Sequence, residues 1–221
     1  MRHWALRNVG IGGLLLGSLL LAGCASSMVT MERHRERAVA PLQRQSDADS
    51  LAAAGLFQVT KNRAQALDLL ARAEAAEPTR ADLVWLRLQV CQAETSCDPQ
   101  PEEQKLRALS PTNGAGWLGA LERAAHEKDD AAMDAALAAI AHTERVDIYW
   151  TTLIGRLSTA AARTGKMSLD EAMLTVIGIV SATAIPAYLP ASRSCKGDRL
   201  QRDDMREVCQ GVAQAFKTAI R

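Results

Sequence analysis

Three tracts of the chain differ in how polar and apolar positions alternate. The first opens with basic residues, Arg2, His3 and Arg7, and continues as apolar and small residues from Val9 to Ala22. No acidic residue precedes Glu32. This run falls short of the ~20 apolar residues that a spanning helix requires, and its charge and length predict an export signal over residues 1–23. The second tract, residues 24–45, is polar, carries the run Glu32-Arg33-His34-Arg35-Glu36-Arg37 and is broken by Pro41. It predicts a solvated tether, in part helical. A sharper reading has Arg33, Arg35 and Arg37 touching anionic headgroups, although Glu32 and Glu36 dilute that charge.

From residue 46 onward, apolar residues recur at helical spacing between short polar turns. Pro78 and Pro111 lie 33 residues apart, and Trp85, Trp117 and Trp150 lie 32 and 33 apart. A period in the low thirties marks helix pairs that stack because none can bury its apolar face alone. The expected pairs place Ala54 and Phe57 on one helix and Ala66, Leu70 and Ala73 on the next. A second pair has Val84 or Trp85, Leu88 and Cys91, followed by a short helix over Glu102–Leu109. The third has Trp117, Leu121 and Ala124, a turn at Lys128-Asp129-Asp130, then Met133, Leu137 and Ile140. A fourth is expected from Val146 to Arg163 and from Leu169 to Ala184, with Ser168 and Glu171 spaced as a capping box and Pro186 and Pro190 as terminators. A last helix from about Arg199 to Ile220 carries an apolar stripe of Val208, Val212, Ala215, Phe216 and Ala219, suited to capping the array.

Two resemblances follow from these residues. Leu21-Ala22-Gly23-Cys24, with Ala25 next, resembles the bacterial lipobox. It implies diacylglycerol on Cys24, cleavage after Gly23 and N-acylation of the new terminus. Ala25 in place of Asp implies, under the lipoprotein sorting rule, an outer-membrane protein facing the periplasm. Several acyl chains on one residue anchor stably where one is marginal. The helix pairs resemble the tetratricopeptide family, closely from Ser46 to Thr143 and loosely to Ala184. That resemblance implies an all-α helix-turn-helix repeat array of about four helix pairs over residues 46–184, with a braced C-terminal helix over 185–221. It also implies a concave groove lined by the first helix of each pair, which puts Trp85, Gln89, Gln92, Leu118, Glu122 and His126 on a surface for a protein partner.

Composition narrows the rest. Hydrophobic residues make up 48% and charged residues 23%, which is globular, and aromatics only 4%, which with abundant alanine favours helices. A formal net charge of +1, turned slightly acidic by loss of Arg2 and Arg7 with the leader, excludes a binder that works by neutralising nucleic-acid phosphates. Five cysteines become an even set once Cys24 is acylated. Cys91, Cys97, Cys195 and Cys209 allow three connectivities, of which the two local pairs close most readily. A metal site is not expected, since the spacings are C-x5-C and C-x13-C with no histidine beside either pair.

No hydrolase, phosphate-loop or dinucleotide motif appears in the sequence. His126 and His142 lack ligand spacing, and the pairs Asp129-Asp130 and Asp203-Asp204 suit helix starts. The expectation is therefore a non-enzymatic scaffold or assembly factor that binds an envelope protein, tethered to the membrane by the lipid on Cys24, with no cofactor, metal or small-molecule substrate. The alternatives are an all-helical envelope hydrolase without a recognisable motif and a purely structural lipoprotein.

Overall fold

Four helix starts in this protein are set by short polar side chains placed one residue ahead of apolar-periodic runs. Asp47 accepts from Ser50 N, Asn62 from Gln65 N and Asp129 from Ala132 N, each satisfying a donor that the first turn leaves open. Ser168 and Glu171 form the reciprocal capping box: Ser168 N donates to the Glu171 carboxylate and Glu171 N to Ser168 Oγ. The resulting computed structural model describes residues 29–184 and 188–218. The export signal, Cys24, Pro186, Ala219 and Ile220 lie outside the described residues.

Apart from one isolated bridge between Asn113 and Arg145, the secondary structure of the described residues is helical. In chain order it comprises α1 (29–43), α2 (Ala48–Gln58), α3 (Arg63–Ala76), α4 (Ala81–Gln92), α5 (Gln100–Leu109), α6 (Leu118–Glu127), α7 (Asp130–Ala141), α8 (Trp150–Arg163), α9 (Leu169–Ala184), α10 (Leu189–Ser194) and α11 (Asp203–Thr218). Short 3-10 turns at Gly114–Trp117 and Gly197–Gln201 precede α6 and α11. The pairs α2/α3, α4/α5, α6/α7 and α8/α9 each pack together, and α3 packs on α4. Two packings then leave this neighbour-to-neighbour order. Helix α8 lies along α2, with α9 reaching both α2 and α4, while α10 covers α6 and α11 covers α7. One core runs through the molecule. Leu56, Phe57, Leu70, Leu83, Trp85 and Leu86 are among its largest members.

Three boundaries differ from expectation, each for a local reason. The expected tether is a packed helix. Ala38, Val39 and Leu42 of α1 are buried, and Arg35 is sheltered through bonds to Glu32 and Thr60 rather than pointing outward. Pro41 falls in the last turn of α1. Helix α8 starts at Trp150, not Val146. Asn113 captures the backbone ahead of it: Asp147 N donates to Asn113 Oδ1, and Asn113 Nδ2 donates to Asp147 O and to Tyr149 Oη. Tyr149 takes a left-handed conformation at φ 57°, from which the helix then starts. The last helix starts at Asp203 because Arg202 is extended. Pro190 does not terminate a helix but sits in the first turn of α10, where a missing N–H costs nothing.

Both local cysteine pairs are bonded. Cys91–Cys97 ties the end of α4 to the loop before α5, with Cα atoms 5.3 Å apart. Cys195–Cys209 ties the end of α10 to the middle of α11, with Cα atoms 5.6 Å apart. Helix α11 approaches α7 so closely at Gly211 that a Cβ there would lie 2.8 Å from that of Ala141.

Candidate functional site

The six residues expected to line a groove do not share an open surface. Trp85 is 1% exposed on α4, where it belongs to the core, and Leu118 is equally buried at the start of α6. Gln89 is buried too, and its Nε2 donates to Gln92 Oε1 at 3.2 Å. Gln92 is half-buried, and Glu122 and His126, both on α6, are exposed. The reason lies at Gly119. A Cβ at that position would stand 2.1 Å from Gln92 Nε2 and 2.4 Å from Glu103 Oε1, so α6 rests directly on the polar side chains of α4 and α5. Glu103, itself buried, holds Arg123 of α6 through two hydrogen bonds of 2.5 and 2.8 Å. That bidentate pairing raises the Arg123 guanidinium above its usual range. The side of α6 next to Glu122 is thus clamped to α5, leaving Glu122 and His126 on the outer side.

Sequence reading passed over the densest chemistry, a charge network across α3, α4 and α5. Glu74 of α3 and Glu102 of α5 are both buried. Arg87 of α4 donates to Glu102 at 2.6 Å and lies 3.7 Å from Glu74, while Lys105 of α5 donates to Glu74 at 2.7 Å. Burial, reinforced by the Glu74 carboxylate, pushes the Glu102 carboxyl up, against the pull of Arg87 and Lys105. Glu74 Oε1 and Glu102 Oε2 are buried without a hydrogen-bond partner. The only sequence signal was the spacing of Glu102 and Lys105, three apart and so on adjacent positions of one helix face. Both cations are engaged by these carboxylates, and among the described residues no group of three His, Cys, Asp or Glu side chains could hold a metal ion. The network fixes the register of three helices.

A second network fastens α2, α4 and α8. Arg80 bonds Asp82 and Asp49, and Arg156 of α8 lies 3.6 Å from Asp49. The Asp82 and Asp49 carboxylates raise the Arg80 guanidinium further. The two aspartate pairs noted in the sequence are structural in the same way. Asp129 caps α7, Asp130 and Asp134 receive Arg199, and Asp204 receives Arg202. His142 closes α7 at its exposed end, and His34 of α1 bonds Glu171 of α9 at 3.1 Å.

One shallow pocket of about 190 Å³ lies between α1 and α2, lined by Arg35, Glu36, Val39, Phe57 and Lys61 among others. Its charges are spent on each other: Lys61 bonds Glu36 and lies 3.2 Å from Glu32, which also takes Arg35. Lys61 holds the Glu36 carboxyl below its ordinary range. Tyr188 meets Phe216 edge-on at 5.2 Å, and burial beside Asp147 pushes its phenol up to about 12. No family model matches the chain, and neither a curated protein nor a solved structure does.

Proposed function

We propose that the chain is a lipid-anchored envelope protein whose helical domain, a tetratricopeptide-like array, binds a protein partner and performs no chemistry of its own. The observation that carries this reading is the cysteine arithmetic. Four of five cysteines form two local disulfides, as suits an oxidising compartment, and the fifth, Cys24, is the one in the lipobox. The sequence after Cys24 favours the outer membrane and a domain facing the periplasm. The stacked helix pairs support the array, with α2, α4 and α6 as the first helices of their pairs.

In this reading the partner surface is smaller than the family pattern implies. Helices α8 and α9 pack on α2 and α4, so the inner face of the first two pairs is covered by the chain itself. What remains for a partner is the outer side of α6, with the exposed Glu122 and His126. Scaffolding or assembly of another envelope component is the matching role.

The test has two parts. Intact mass of the protein from an envelope fraction should show a chain starting at Cys24 with acyl groups, and Cys24→Ser should move it to the soluble fraction. A photo-crosslinking residue at Glu122 or His126 should yield one discrete adduct in cells, while the same residue at exposed Ala108 of α5 should yield none. Identical crosslinking from all three positions would rule the partner surface out, and an unacylated Cys24 would rule the anchor out.

A further inference from the structure

The surface of α9 is apolar where a surface helix is ordinarily polar. It buries Ala172, Val176 and Val180 against the core, while Leu169 at its start, Met173 at the edge of that stripe and Leu174 beyond it are 49%, 39% and 60% exposed, with Asp170 exposed between the last two. A single exposed leucine is ordinary, whereas three large apolar side chains within six residues form a patch that asks for an occupant. The charges of α9 are confined to its first turn, Asp170 and Glu171.

The location of this patch points to its occupant. Glu171 bonds His34 at 3.1 Å, so the first turn of α9 lies against the second turn of α1. From His34 back to Val29, the exposed first described residue of α1, is about 7.5 Å of helix. From Val29 to Cys24 is five residues, which span at most about 18 Å in any conformation. An acyl group on Cys24 therefore holds the patch within a few tens of ångströms of the bilayer. Tethering at that length raises the local concentration of lipid far above anything a free partner reaches. Exposed Arg33 and Arg37 on α1 and Lys166 just before α9 complement anionic headgroups beside it. None of the described helices is long and apolar enough to cross a membrane, which leaves an interfacial seat.

We propose that the domain lies on the bilayer that carries its anchor, with Val29 of α1 and Leu169, Met173 and Leu174 of α9 seated at the headgroup boundary. The anchor becomes a hinge point and α9 the second contact, which fixes one face of the domain toward the lipid and turns α6 to whatever it binds. This rests on acylation of Cys24, so acylation is measured first.

The experiment uses the acylated protein purified from the envelope and placed in vesicles of phosphatidylethanolamine with phosphatidylglycerol. A fluorophore is attached through L174C, and through A108C on α5 as a reference, with bromine or spin quenchers on the lipid chains near the headgroup. Quenching at position 174 is expected to exceed that at position 108 at least threefold. Adding Leu169→Glu and Met173→Glu should bring position 174 to the reference level while the protein stays anchored. Equal quenching at both positions in a sample of confirmed acyl mass overturns the seat and leaves the anchor standing. Absence of acyl mass overturns both. Burial of the position-174 probe without vesicles, growing with protein concentration, overturns the seat in favour of a second copy of the chain.

Discussion

The block α2–α5 and the block α10–α11 each contain one disulfide, but they are held together by different means. In α2–α5 the bridge is peripheral: Phe57, Leu70, Leu83, Trp85 and Leu86 fill the space between helices, and Glu74, Arg87, Glu102 and Lys105 register three of them. In α10–α11 the buried apolar side chains are few and smaller, Ala191, Met205, Val212 and Ala215. The six residues of α10 cannot form a stable helix alone. Beyond the packing of α11 on α7 and of Tyr188 on Phe216, Arg199 and Arg202 pair with Asp130, Asp134 and Asp204, and the exposed pairs of Arg202 contribute little. Here the covalent link joins the short α10 to α11, and α11 in turn packs on α7. The same device is an accessory beside a large core and a brace within a block whose share of the core is small.

The largest expected effect falls on the core side. Trp85→Ala should lower global stability by about 3–5 kcal/mol, read as a shift of the denaturation midpoint. A loss confined to local exchange around α4 would show that the block is not one cooperative unit. Replacing Cys195 and Cys209 together by serine closes no loop in the unfolded chain and should cost about 3 kcal/mol. Hydrogen exchange should place that loss in α10–α11, with α2–α5 protection unchanged. The equivalent change at Cys91 and Cys97 should cost about 2 kcal/mol or less, because its loop is shorter. If the two pairs prove equal in size and reach, the contrast between the blocks fails. Between the blocks, Gly119→Ala should cost about 1–3 kcal/mol by forcing α6 away from Gln92 and Glu103.

The smallest effect concerns Glu102. Its carboxyl binds protons more readily in the folded chain than unfolded, so stability due to it falls as pH rises past about 4.5 and through the raised folded value. Glu102→Gln should therefore flatten the decline in stability from acid to neutral pH, by under about 1 kcal/mol because its partner Arg87 is half-exposed. Parallel profiles for the two proteins would show that Glu102 is not the source of the decline.

Helix positions were legible because their signals are local. Leu169–Ala184 was readable at both ends, since Ser168 and Glu171 announce its start. Asp129 marks α7 in the same way. Local, too, was the pairing of the cysteines, where short loops favour the bonds observed. What escaped was decided by contacts distant in sequence. The run Glu32 to Arg37 reads as a solvated spacer until Thr60 and Lys61 arrive to take Arg35, Glu32 and Glu36. Recurrence of tryptophan every 32 or 33 residues predicts a repeat, yet the three tryptophans do not share a position on their helices. Trp85 lies inside α4, Trp117 just ahead of α6 and Trp150 at the first position of α8. Nor does any window of sequence reveal that α8 and α9 return to α2 and α4, or that Gly119 brings α6 down onto buried polar groups.

That return has a consequence in time. Asp47 meets Arg163 across 116 residues and His34 meets Glu171 across 137, so the first helices in the chain are finished only by some of the last. Closing loops of that length comes late and slowly relative to hairpins such as α2–α3. A chain emerging from its N-terminal end therefore waits, with one apolar side of α2 open to water, until about residue 180 has followed. Protection of that side in the interval falls to whatever else is present, and a chain cut short near residue 145 would never acquire its own cover.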